Sequence, residues 1–238
     1  MKSLYQYALI LIIVPSFLLG SCDRCEKGSG NVIRIPRSVP SFNQVKLPGS
    51  FNLYIRQDSV QKVEIVADDN IAPFLETEVE GSTLVLKYER NKCTRRSTRS
   101  DIYISVPSLT KLTLDGSGLV QGENTFKGDG LSAVIKGSGN MTLAYEGESL
   151  TGVIEGSGNL NLSGNSNSAS YSVNGSGNIN ASQVNAKAVI AAVSGSGNIE
   201  LTAINTLNAM ISGSGNINYF GNPTVSKNVS GSGSVNKK

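Results

Sequence analysis

The stretch Val193–Leu201, VSGSGNIEL, reads as flexible linker in its middle and as β-strand at both ends. Its tetrapeptide GSGN returns down the second half of the chain. GSG begins at Gly116, Gly137, Gly156, Gly175, Gly195, Gly213 and Gly231, at intervals of 21, 19, 19, 20, 18 and 18 residues. A period near 19 marks a solenoid, in which each repeat stacks on the next. Two places before the triplet stand Leu114, Ile135, Ile154, Val173, Val193, Ile211 and Val229, and two places after it Val120, Met141, Leu160, Ile179, Ile199, Ile217 and Val235. Both columns are apolar throughout, with polar residues between them, so each repeat reads strand, sharp corner, strand. The expected fold is all-β: a right-handed parallel β-helix whose coils bury their core only by stacking. At about 4.8 Å per coil, seven repeats make a rod of roughly 30 Å.

The corner chemistry follows from this geometry. Glycine supplies positive φ or a close approach between neighbouring coils, and serine is small enough to sit in the crease. The next residue is Asn140, Asn159, Asn178, Asn198 and Asn216, with Leu119 and Ser234 at the ends. Identical amides one coil apart are expected to bond along the stack as an asparagine ladder. Just before the corner, Asp115, Lys136 and Glu155 alternate in charge, as an exposed ionic ladder would.

Two other uses of a glycine-rich turn fit poorly. Phosphate loops place the glycines between a strand and a helix, with Lys and Ser/Thr following, whereas here a strand follows. Calcium-binding β-helix repeats carry a regular aspartate, and this corner offers only neutral Asn and Ser. No metal and no cofactor is expected.

Residues 37–107 lack GSGN but keep strand alternation, as in FNLYIRQ (51–57), KVEIVAD (62–68) and DIYISVP (101–107). They read as irregular coils of the same solenoid or as a small β capping module, ahead of the repeats at 108–238. The segment DDNIAPFLETEVEG (68–81) is the likeliest helix, with Asp69 or Asn70 as N-cap and Pro73 in its first turn, no longer than two turns. At the far end Lys237 and Lys238 supply charge that discourages edge pairing.

The first 21 residues read as a secretory signal. Lys2 is followed by the apolar stretch Leu9–Gly20, which is short for a membrane span. Its end, LLGSC (18–22), resembles the bacterial lipobox, so Cys22 is expected to become the acylated first residue, with 22–36 as a tether. Cys25 and Cys93 then remain in an oxidising compartment, where a disulfide between them is permitted. The net charge of +3, of which Lys2 supplies one, argues against nucleic acid as a partner.

The chemistry-bearing residues are few. There is no histidine, which removes the usual general base and metal ligand. Asp115 and Glu155, two coils apart, would stand roughly 9.6 Å from each other, close to the carboxylate spacing of inverting glycosidases. Lys136 lies between them, so an external ion pair is the simpler reading and no catalytic residue is assigned. The one charge cluster, RNKCTRRSTR (90–99), holds Arg90, Lys92, Arg95, Arg96 and Arg99. It reads as a solvated loop or as a patch that docks on anionic polymers such as lipopolysaccharide or acidic glycan.

Together, RSVPSFNQVKLPGSFNLYI (37–55), KVEIVADDNIAPFLETEVEGSTLVLKY (62–88), VPSLTKLTLDGSG (106–118) and the later GSGN series resemble the head GIN domain family of auto-transporter adhesins from Bacteroidetes-type envelopes. The resemblance spans about 37–236 and rests on the order of weak motifs. It implies a β-helical fold at the cell envelope, with the outer membrane as the expected anchor site, and supplies no catalytic residues. Since 238 residues of this pattern leave no room for an outer-membrane barrel, the lipid anchor is expected to replace it. The expected role is non-enzymatic adhesion, binding or structure, with surface polysaccharide or another envelope protein as partner. A carbohydrate-active enzyme or a glycan-binding protein on the same scaffold is the alternative.

Overall fold

The computed structural model describes residues 25–90, 92–95 and 97–238. Strands Lys111–Gly116, Leu119–Gly137, Asn140–Gly156, Asn159–Gly175, Asn178–Gly195 and Asn198–Gly213 stack in parallel, one coil on the next. Asn216–Phe220, Thr224–Gly231 and Ser234–Lys237 complete the last coils. The fold is thus the all-β solenoid that the period near 19 implies. Both apolar columns beside GSG face the core: Leu114 through Ile211 and Val120 through Ile217 are at most 3% exposed. Val229 is 38% exposed because no further coil covers it.

Unequal repeat lengths do not disturb the corners, which stay in register from Gly116 to Gly231. The surplus or deficit is absorbed as bulges away from the corners, between Gln121 and Thr125, between Asn161 and Ser163, and around Ala181–Ala188. The first of these is clasped by Gln57. Its backbone N–H donates to Asn124 Oδ1 and its carbonyl accepts from Asn124 Nδ2, each at 2.9 Å, while its side chain bonds the backbone of Pro107 and Lys127.

The stack begins earlier than the GSGN series. Gln44–Pro48 lies in register under Lys111–Asp115, and Asn52–Gln57 pairs with the start of Leu119–Gly137. Gly49, Ser50, Phe51 and Asn52 therefore form a corner of the same kind, with Phe51 in the place of the second glycine. Leu47 and Leu53, two places either side, are fully buried like their later counterparts.

Beyond this coil the chain caps the rod with antiparallel pairs. Thr83–Tyr88 continues one face and turns back as Leu75–Glu80, and Ser100–Val106 continues the other, followed by Lys62–Asp68 and Val32–Arg37. One 16-stranded sheet holds all of these. Pro36, which has no N–H, sits in the outermost strand of the second face and blunts that edge.

Two expectations are corrected here. The helix is a single 3₁₀ turn, Ala72–Phe74, with Pro73 in it but Ile71 as its N-cap and no side-chain cap bond. Asp69 and Asn70 are engaged elsewhere: Asp69 accepts from Ser29 Oγ and Asn31 Nδ2, and Asn70 donates to Glu26 and to the Lys27 carbonyl. Residues 25–36 are also no loose tether, because Glu26–Lys27 pairs with Thr94–Arg95 and Val32–Arg37 joins the main sheet.

Candidate functional site

The corners are fully used by the fold. From Gly137 to Gly231 the first glycine of each triplet has φ between 117° and 136°. A Cβ on the second would strike the backbone of the coil below: at Gly197 it would lie 2.3 Å from the Gly177 carbonyl oxygen. The backbone N–H groups here point along the stack, with Ser196 and Gly197 both donating to the Gly175 carbonyl. From Ser138 to Gly215 the corner donors are used up in this way, coil by coil, rather than turned out to cradle an anion. Outside this crease runs the amide ladder: each Nδ2 donates to the Oδ1 one coil earlier, from Asn159 to Asn140 (2.9 Å), Asn178 to Asn159 (3.2 Å), Asn198 to Asn178 (3.0 Å) and Asn216 to Asn198 (3.1 Å). Ser234 Oγ extends it to Asn216. Leu119 interrupts it below, and beneath Leu119 the Asn52 amide bonds Asp101.

The two carboxylates considered for catalysis sit in no cleft. Asp115, Lys136 and Glu155 share one exposed column, and Lys136 Nζ lies 3.1 Å from Glu155 Oε2. The ion pair therefore forms on one side of Lys136 only. Among the described residues no group of His, Cys, Asp and Glu is placed to hold a metal ion.

A neutral groove of about 590 Å³ runs along the rod. Between two outward-facing columns runs the in-register column Ala169, Val189, Leu207 and Val225; the first three belong to the buried core and Val225 is half-buried at the end. Ser149, Ser168, Ala188, Thr206 and Thr224 form one rim, and Ser170, Ile190, Asn208 and Ser226 the other. It spans five coils, about 19 Å at the sheet spacing. Its lining contains no charged side chain, and Ile190 is 49% exposed within it. Beside it Ala192 and Met210 continue the neutral surface into a shallower depression. The sequence reading missed this groove. Its signal is the run of outward Ser, Thr, Ala and Asn in place of charges, which a search for motifs passes over.

The basic segment is divided by its contacts. A disulfide joins Cys93 to Cys25, with Cα atoms 4.6 Å apart. Arg90 and Arg95 are exposed, and the Lys92 ammonium sits 4.8 Å from the centre of the Phe74 ring. Arg99 folds away, pairing with Asp101 and donating to Tyr103 Oη at 2.7 Å. Arg96 and Cys22 lie outside the described residues. The segment is held by Asp68, a fully buried carboxylate at the end of Lys62–Asp68. Burial raises its pKa, but bonds from the Thr98 N–H (2.7 Å), the Ser97 hydroxyl (2.9 Å) and the Gly30 N–H (2.8 Å) outweigh that and hold it below the usual carboxylate range. Asp68 thereby ties together two segments that are far apart in sequence.

The comparisons agree with this architecture. The family model "Putative auto-transporter adhesin, head GIN domain" matches residues 41–223. A crystal structure of a "putative adhesin" from Bacteroides fragilis superposes with a TM-score of 0.84 at 28% identity, over 90% of this chain and 100% of that one. A "putative lipid binding protein" from Parabacteroides distasonis does so with a TM-score of 0.74 at 27% identity, over 90% and 100%. No curated protein matches. Among the described residues no helix is long and apolar enough to cross a membrane. With a match over most of its length and the fold to accompany it, the chain belongs to the head GIN domain family, whose description points to an adhesion or binding role at the cell envelope.

Proposed function

We propose that this chain is a lipid-anchored envelope protein that binds a neutral, extended polymer, a surface glycan chain, in the groove along its rod and does no chemistry on it. The observation that carries this reading is the groove itself: hydroxyl and amide groups from four of its five coils around the exposed apolar Ile190, with no charge in the lining to attract an ionic ligand. Such a surface can bond hydroxyls and cover the apolar faces of sugar rings, at a volume typical of ligand sites. The ion-paired, exposed Glu155 and the isolated Asp115 give no support to glycoside cleavage. Cys22 is the proposed acylation site and the outer membrane the proposed location.

The half-exposed Ile190 in the groove favours a second reading, in which an acyl chain lies there. The printed name of the Parabacteroides relative is in keeping with it. One experiment separates these readings. The purified chain is titrated with neutral envelope polysaccharides and with fatty-acyl probes, and the sugars are afterwards analysed for cleavage. Retention of an intact polysaccharide, lost at least ten-fold in Ile190→Asp and unchanged in Asp115→Asn, is expected. Binding of acyl probes alone selects the second reading. Cleavage that disappears in Asp115→Asn would overturn the non-enzymatic assignment.

A further inference from the structure

The cap end of the rod carries a charge arrangement that folding does not account for. Glu26–Lys27 and Thr94–Arg95 form a two-stranded parallel ladder in which Lys27 stands directly opposite Arg95. In-register parallel partners project to the same side about 4.8 Å apart, and like charges so placed destabilise the pair. Both side chains are exposed, as are those of Arg90 and Lys92 on the adjoining turn. Among the described residues no carboxylate lies within ion-pair distance of any of the four. Glu26, engaged by Asn70, and Glu89 are the acidic side chains on the same segments, so the cations remain in excess.

The covalent geometry says where this rim sits. Cys25 is locked to Cys93, and only two residues separate it from Cys22. A chain of three residues reaches about 11 Å at full extension. A lipid on Cys22 therefore holds the disulfide, and the cations around it, within about one Debye length of the membrane surface. The groove lies at the other end of the molecule, on coils about 14 to 34 Å above the coil of Gly49 at the sheet spacing.

We propose that Lys27, Arg90, Lys92 and Arg95 dock on the anionic phospholipid headgroups of the membrane that carries the Cys22 lipid, standing the rod on its cap with the groove directed outward. The headgroup phosphates supply the counter-charge that the Lys27–Arg95 pair lacks, and the rim acts as the second, electrostatic signal beside the acyl chains. This rests on the acylation reading for Cys22.

The test removes the lipid so that the surface acts alone. The full-length mature chain bearing Cys22→Ser, with its disulfide intact, is floated with vesicles of phosphatidylethanolamine containing phosphatidylglycerol, and with vesicles of phosphatidylethanolamine and phosphatidylcholine. Binding to the anionic vesicles alone is expected, weakening about five-fold for each of Lys27→Gln and Arg95→Gln, about 25-fold for both, and vanishing in molar salt. Circular dichroism melts confirm that the variants fold. Equal binding to both vesicle types, or no loss in the double variant, would overturn the docking surface, as would displacement by dissolved acidic polysaccharide that binds more tightly than the vesicles. Mass measurement of the wild-type N-terminal peptide reports acylation separately: vesicle binding by Cys22→Ser beside an unacylated wild type would sink the anchor and leave the headgroup surface standing.

Discussion

The corner glycines meet two different constraints, and neither is flexibility. Gly195 has φ of 123°, a region that side chains disfavour, and a Cβ there would also meet the Gly175 carbonyl, while Gly197 is excluded from bearing a Cβ by close approach alone, to the Gly177 carbonyl beneath it, with no positive φ. Gly197→Ala is therefore expected to lower stability by at least about 2 kcal/mol, whereas Ser196→Ala, at the bend between them, should change it by less than about 0.5 kcal/mol. Denaturant melts of the two variants give the comparison, and equal effects would contradict the close-approach account. At this scale much was legible in the sequence, since a fixed triplet between apolar columns has few geometric uses. Gly49–Asn52 was not recognised as a corner because Phe51 breaks the pattern, although Leu47 and Leu53 preserve both columns. The lesson is physical: the buried columns persist where the crease residue varies, and they are the safer guide to register.

Among the elements, the repeats were readable and the cap was not. A repeat declares itself through periodicity, but apart from the Leu75–Tyr88 hairpin the cap strands pair residues 26 to 49 positions apart, with no period to announce them. Asp68 is the clearest case: it lies within KVEIVAD as an ordinary strand end, and only folding shows that Gly30, Ser97 and Thr98 converge on it. Its pKa is held below the unfolded carboxylate value of about 3.9. The stability it contributes is therefore complete above that value and is lost as pH falls through the folded pKa below it. Protection factors at the Gly30 and Thr98 amides, taken relative to the intrinsic exchange rate at each pH, should fall at acid pH while those of the GSGN coils hold. Asp68→Asn should loosen the same amides at neutral pH, at a cost of about 2 kcal/mol or more, because a carboxamide replaces one acceptor with a donor. Uniform exchange across cap and coils would show that Asp68 is no local clasp. The groove escaped the sequence reading for a related reason: it is a property of columns from five coils, and each repeat contributes at most three unremarkable residues to it.

For the molecule as a whole, fold and function are written in different places. The motif that recurs builds the spine, while the groove proposed to bind is assembled from positions that vary between coils, and the cations proposed to orient the rod belong to the cap. This division follows from solenoid construction, in which each coil contacts only its neighbours and the total is close to a sum of coil and interface terms. A coil is then removable. Deleting Asn178–Gly197 joins Gly177 to Asn198 and recreates the GSGN corner, with Asn198 facing Asn159 and Val193's place in the inner column taken by Ile211. A thermal melt of that deletion variant, followed by circular dichroism, tests whether GSGN is architecture. The account predicts a cooperatively folded β-protein with a lowered midpoint. A chain with no cooperative transition would contradict it.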